Sequence, residues 1–250
     1  MKTSSNLECV NAQAGFAGGM LRLGLLLGLL GLLVLSTACN STTVLQASFN
    51  SDTAGSPPAS AQATGTVSLS PGAGTIVVVD APAPGLPANK WVRISHPTTP
   101  SPETVMRGTF SRFDGIGNYT LLASLFMPSG TGAATVQFES FSGSVNSAAS
   151  FLHLDFMPEG DVRVDDGPVR WGHFPRDQPF VLSVNLVITA TTATAHFGLL
   201  GAGTSGTQDV NINPAWLSVA RQFGAVRFWM GFQWTGSFFV DDILVTRNNS

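Results

Sequence analysis

Asp241 and Asp242 stand side by side in an otherwise apolar run, with Phe239, Ile243 and Val245 in one alternating register and Phe238, Val240 and Leu244 in the other. Neighbours on a strand point to opposite faces, so whichever face is buried receives a carboxylate. A buried carboxylate must be protonated, hydrogen-bonded or matched to a cation. A second concentration of chemistry is the segment 170–177, which gathers Trp171, His173 and Arg176 behind the turn sequence Asp165-Asp166-Gly167-Pro168. In a third, Trp229 shares a register with Arg227 and Gln233, opposite to Val226, Phe228, Met230, Phe232 and Trp234. An aromatic plane beside amide and guanidinium groups suits a sugar ring, whose apolar face stacks while its hydroxyls take hydrogen bonds. The plainer reading of each Trp is packing within or between sheets.

Catalytic signatures are missing from the sequence. Glycoside hydrolysis needs two carboxylates facing each other across the scissile bond, and the closest grouping, Asp155 with Glu159, is interrupted by Pro158. No G-x-S-x-G elbow and no H-E-x-x-H occurs, and His96, His153, His173 and His196 lie without metal-ligand spacing. His153 and Asp155 share one face of a strand, and Asp161, Arg163 and Asp165 one face of the next. If these strands pair, charged groups line a sheet surface, which reads as a solvated outer face.

The elements that must position these residues are nearly all strands. Period-two alternation, β-branched and aromatic enrichment, and Gly, Pro, Ser and Asn punctuation mark strands at 43–49, 64–69, 75–80, 91–96, 104–113, 119–127 and 133–141. Further strands follow at 151–156, 161–165, 180–189, 194–200, 225–234 and 237–247, the last two joined by Thr235-Gly236 as a tight hairpin. One short helix is expected at 213–221, with Asn213 as cap and Pro214 at its first position. Many short strands without intervening helices make two antiparallel sheets face to face, or a barrel. No internal repeat is present to suggest a propeller or solenoid.

The first 38 residues belong to a different problem. Residues 23–35 are apolar apart from Gly, follow Arg22 and lead through Ser36, Thr37 and Ala38 into Cys39. Crossing a bilayer as helix takes about 20 apolar residues, so a run this short with a small-residue exit reads as a cleavable export signal. Met20-Leu21-Arg22 makes a more compact basic beginning than residues 1–19, which include Glu8 and Cys9, and we expect translation to start at Met20. Leu35-Ser36-Thr37-Ala38-Cys39 resembles the lipobox of bacterial lipoproteins, with Ser36 where the commonest form has Leu and Leu35 one place further out. That resemblance implies cleavage before Cys39, its lipidation, and a bilayer as partner. Asn40 in the following position implies outer-membrane delivery in a diderm cell, and otherwise the outer face of the cytoplasmic membrane. Cys9 and Cys39 are the two cysteines of the chain, so the mature protein has no internal disulfide. Removal of 1–38 takes Lys2, Arg22 and Glu8 from 12 basic and 15 acidic residues, leaving a mildly acidic chain without the basic stripe that nucleic acid requires.

Residues 47–58, Ala-Ser-Phe-Asn-Ser-Asp-Thr-Ala-Gly-Ser-Pro-Pro, and 236–245, Gly-Ser-Phe-Phe-Val-Asp-Asp-Ile-Leu-Val, resemble the first and last strands of concanavalin A-like and carbohydrate-binding-module jelly rolls. The resemblance implies an all-β, antiparallel two-sheet jelly-roll sandwich over 44–250, after a tether at 39–43, with its first and last strands adjacent. It also implies that the closing aspartates help hold a structural calcium. Calcium takes 6–8 oxygen ligands, and Asp52 with carbonyls of the 50–55 loop would join Asp241 and Asp242. The alternative is one Asp in water at a strand end and the other paired with Arg247 or Arg227. The expected function is a non-catalytic glycan-binding module of the cell envelope, with candidate contacts Trp171, His173, Arg176, Trp229 and Gln233. A polysaccharide-degrading enzyme of the same fold and a structural envelope protein are the alternatives.

Overall fold

Alternating side chains along most of the chain can bury one face each, and they do so between two sheets. The computed structural model describes residues 41–82, 89–97, 101–112, 115–165, 167, 169–232 and 234–248. Cys39, Met20 and Gln233 lie outside them. The strands are β1 (Ser41–Ala47), β2 (Thr66–Ser70), β3 (Thr75–Asp80), β4 (Lys90–His96), β5 (Ser101–Thr109), β6 (Gly117–Phe126), β7 (Ala134–Ser140), β8 (Ser150–Phe156), β9 (Asp161–Val164), β10 (Arg170–His173), β11 (Pro179–Ile188), β12 (Ala193–Leu200), β13 (Thr207–Asn211), β14 (Phe223–Phe232) and β15 (Gly236–Asn248). The expected helix is a 3-10 turn, Pro214–Trp216, running into α1 (Leu217–Ala220), with Asn213 Oδ1 accepting from Ala215 N at 3.0 Å.

One sheet has the order β13-β12-β11-β6-β15-β4-β3, with β1 also on β15; the other runs β10-β9-β8-β7-β14-β5-β2. Neighbouring strands are antiparallel throughout the described residues, and the result is a two-sheet jelly-roll β-sandwich. The core between the sheets is apolar and aromatic: Phe138, Phe156, Phe180, Phe197, Phe228 and Phe238 are each 2 % exposed or less. Burial of one such side chain contributes roughly 1.5–3 kcal/mol.

The first and last strands are neighbours, as expected, and β15 is organised around them. Its first half pairs with β4 from Gly236 to Val240, its second half with β1 from Ile243 to Asn248, and β6 covers the other edge. The exchange falls at a bulge: the register with β6 shifts between Asp241 and Leu244, and Asp242 takes φ +46°.

Two expectations are corrected here. Thr235-Gly236 is not a hairpin turn, because β14 and β15 belong to different sheets. Each is a central strand with both edges taken, so the chain must cross from one layer to the other. Gly236 turns it at φ +115°, and Gly132 N donates to Thr235 O at 2.8 Å. β1 begins at Ser41, inside the stretch read as tether. β10 and β13, to which no element was assigned from the sequence, are strands. β13 has the polar sequence TQDVN and pairs with β12 alone, so it has no alternation to betray it.

Candidate functional site

The outer face of the seven-stranded sheet is polar, and registration sets its side chains in rows. Arg163, Asp155, Thr135, Trp229, Val105 and Ser70 face one another strand by strand. The next row is His153, Gln137, Arg227, Arg107 and Ser68. The parity that sends Val136, Phe138, Leu154, Val226 and Phe228 into the core puts these groups on the opposite face.

Arg227 and Arg107 are direct cross-strand neighbours, and two like charges so placed repel. Glu139, fully buried, lies between them: Arg107 Nε donates to Oε2 at 2.7 Å and Arg227 Nη1 to Oε1 at 3.5 Å. Arg107 also donates to Thr109 Oγ1 at 2.8 Å and Ser140 O at 3.0 Å, while Arg227 Nη2 reaches Glu103 Oε2 at 2.8 Å. The arrangement is a closed ionic ladder, with both carboxylates committed to guanidinium groups.

Beside it lies a cleft of about 450 Å³ lined by Trp229, Trp234, Gln137, Thr135, Asp155, His153 and Arg163 among others. A second recess of about 510 Å³ opens at Glu103, Arg227, Ser70, Val145 and Asn146. The half-buried Trp229 indole lies across Gly231, where a Cβ would sit 2.6 Å from Cζ3 of the ring and 2.8 Å from Glu103 Cγ. Asp155 accepts from Thr135 Oγ1 at 2.8 Å and faces His153 Nε2 at 3.4 Å, whose Nδ1 faces Asp165 at 3.3 Å. Gln137 Oε1, Trp229 Nε1 and Arg163 Nε are buried without a hydrogen-bond partner. A face expected to be solvated is thus a cleft floor, with Asp155 only 8 % exposed.

Of the sequence-derived contacts, Trp229 is in the cleft. Trp171 is not: it is 8 % exposed and packs in the core against Phe197, ring centroids 5.7 Å apart. The reason is that 170–173 forms strand β10, whose alternation turns Trp171 inward. Arg176 is a structural tie: Nη1 donates to Pro128 O at 3.2 Å and Nη2 to Met157 O at 2.7 Å, above the Phe174 ring. Its burial lowers the guanidinium pKa from the ordinary value. His173 is exposed and lies beside Gly160, away from Trp229's cleft. Trp234, assigned by parity to the core register, also lines the cleft, because the β14–β5 register shifts between Met230 and Phe232 and the strand ends there. Arg107, Glu139, Glu103 and Gln137 were not recognised in the sequence, although the alternation of Thr135, Gln137 and Glu139 against Val136 and Phe138 carried the signal.

The carboxylates proposed for calcium do not converge. Among the described residues no group of three or more His, Cys, Asp or Glu could hold a metal. Asp52 Oδ2 accepts from Ala59 N at 3.0 Å, and the Lys90 ammonium occupies the Asp52 carbonyl oxygen, one of the oxygens a cation would need. Asp241, fully buried at the bulge, accepts from Asn89 Nδ2 at 2.6 Å, and Asp242 bonds Ser48. Arg227 and Arg247, the alternative partners, are engaged elsewhere, Arg247 with Ile116 O at 2.9 Å. Burial and the adjacent Asp242 carboxylate push the Asp241 pKa up to about 7, against the pull of the Asp242 and Phe49 N–H groups and the Asn89 amide. Protonation and the Asn89 amide ease the burial of this carboxylate, and its Oδ1 is buried without a hydrogen-bond partner.

No protein-family model and no curated protein matches the sequence. Solved structures do match the fold. The catalytic domain of the glycoside hydrolase family 131 protein from Coprinopsis cinerea aligns with TM-score 0.50 at 16 % identity, over 81 % of this chain and 93 % of that one. Lectin I from Ulex europaeus, in complex with the methyl glycoside of α-L-fucose, gives 0.46 at 10 % identity over 83 % and 97 %. Lectin UEA-II complexed with galactose gives 0.48 at 8 % over 84 % and 98 %. At such identities what is shared is the sandwich alone.

Proposed function

We propose that the chain is an exported, lipid-anchored envelope protein whose β-sandwich binds a polysaccharide, without cleaving it, in the cleft over β7, β8 and β14. The observation that carries this reading is the Trp229 indole lying across Gly231 in a cleft with Gln137, Thr135, Asp155 and His153. That is a stacking plane ringed by hydrogen-bonding groups, and a pyranose presents complementary apolar and hydroxyl surfaces. Lipid attachment is placed at Cys39, with delivery to the outer membrane in a diderm cell. Calcium has no part in this reading, since Asp52, Asp241 and Asp242 each bond another protein group, Ala59 N, the Asn89 amide and Ser48.

Hydrolysis is the second reading, favoured by three carboxylates on the cleft face, Glu103, Glu139 and Asp155. Against it, Glu139 is fully buried between two arginines and cannot reach a glycosidic bond in this arrangement. Affinity electrophoresis of the Ser41–Ser250 unit, which is compact in itself, on a polysaccharide panel tests both. Retention abolished by Trp229→Ala, without release of reducing ends, is the expected result. Release of reducing ends would establish the hydrolase, and absence of retention on every glycan would end the carbohydrate reading.

A further inference from the structure

The end of the sandwich at which the described chain begins carries a surface that the cleft does not use. Register sets Ser41 beside Asn248, Asn248 beside Asn118, Asn118 beside Val187, Val187 beside Thr194 and Thr194 beside Asn211. The start of β1, the 115–117 and 189–192 turns and the helical segment after β13 therefore lie at one end. The other sheet meets them there: Phe141 N donates to Gln222 O at 2.7 Å, Ser111 N to Val44 O at 2.9 Å, and Phe223 packs on Phe110 and Tyr119.

Three of the large exposed apolar side chains of the domain gather at this end: Trp216 at 51 %, Phe141 at 48 % and Ile116 at 40 % exposure. Arg112 and Arg221 are exposed beside them, and Arg247 reaches the Ile116 carbonyl. In sequence, 110–117, 189–192 and 212–222 carry Arg112 and Arg221 against a single acid, Asp114. Exposed Trp, Phe and Ile with arginines outnumbering the one acid in sequence, Asp114, is the composition of a surface that rests at lipid headgroup level: the rings enter the interface and the guanidinium groups meet anionic phosphates. Chain length agrees. Asn40 alone separates Cys39 from Ser41, and two residues of extended chain span about 7 Å.

We propose that this end of the sandwich docks on a phospholipid bilayer, with Trp216, Phe141 and Ile116 entering the headgroup region and Arg221 facing anionic lipid. The proposal builds on lipid attachment at Cys39. It stands the strands upright on the membrane and turns the cleft face sideways, open to a glycan lying along the surface.

The test uses the full chain purified with its lipid in vesicles of phosphatidylethanolamine and phosphatidylglycerol brominated near the headgroup, read by quenching of tryptophan emission. Quenching that falls by at least half in Trp216→Phe, and is kept in Trp229→Phe, is the expected result. Equal quenching in wild type and Trp216→Phe, or none in either, overturns the docking. Mass spectrometry of the N-terminal peptide reads the anchor separately. An unmodified Cys39 overturns the anchoring, and quenching by added vesicles then decides the docking alone.

Discussion

Glu139 shows how much one side chain on this face must do. It is the carboxylate between Arg107 and Arg227, and removing one partner of a buried ionic group typically costs about 3–5 kcal/mol because the remaining charge stays desolvated. Glu139→Ala should therefore lower stability by about that much, seen as a fall in the denaturant midpoint of Ser41–Ser250. Gly231 acts on binding instead. A Cβ there meets the far edge of the Trp229 ring and Glu103 Cγ, side-chain atoms and not backbone, so Gly231→Ala should displace the indole and keep the fold. We expect glycan retention to weaken about tenfold, equivalent to about 1.4 kcal/mol. Trp229 was legible from parity alone. The ladder was missed because charged residues on alternate positions read as solvated until the facing strand is known to be another arginine-bearing strand.

At the scale of elements, β15 decides the most. Its bulge at Asp241–Asp242 is where β4 ends its pairing and β1 begins, and the buried Asp241 carboxyl with Asn89 closes that gap. An acid whose pKa is raised from 3.8 to about 7 on folding stabilises the fold fully below the unfolded value, and that stability is lost as pH rises through about 7. Thermal midpoints should therefore decline between pH 4 and pH 8. Asp241→Asn, which keeps a neutral group of the same shape, should match wild type near pH 4 and exceed it by about 1–3 kcal/mol at pH 8. Gly236, turning the chain between layers, tolerates less. Its φ of +115° and a Cβ 2.9 Å from Thr131 Cα, a backbone atom, make Gly236→Val destabilising by more than about 1 kcal/mol in equilibrium unfolding.

For the whole molecule, a core of this size between two sheets has no metal group among the described residues to depend on. Chelator should leave the unfolding midpoint of the domain unchanged, and millimolar calcium should not raise it. A calcium-dependent rise of several degrees would show that the 50–52 loop and β15 rearrange around a cation. The long β15, shared among β1, β4 and β6, also makes the two ends of the described domain one cooperative unit, so truncation at either end should unfold the whole rather than fray an edge.

Alternation of apolar and polar residues by itself determined the class of this fold, most strand positions and the face that Trp229 presents, because side-chain direction on a strand has period two and a sandwich buries every other residue. Polar β13 and the inward-facing Trp171 on β10 escaped it, since an edge strand needs no apolar face and a short strand in a turn-rich segment shows no period. Which sheet each strand joins was decided only by tertiary structure. That choice separated β14 from β15, set Arg107 opposite Arg227 with Glu139 between them, and drew Asp52, Asp241 and Asp242 to separate partners, because pairing across sequence depends on which strand edges remain free once the core has closed.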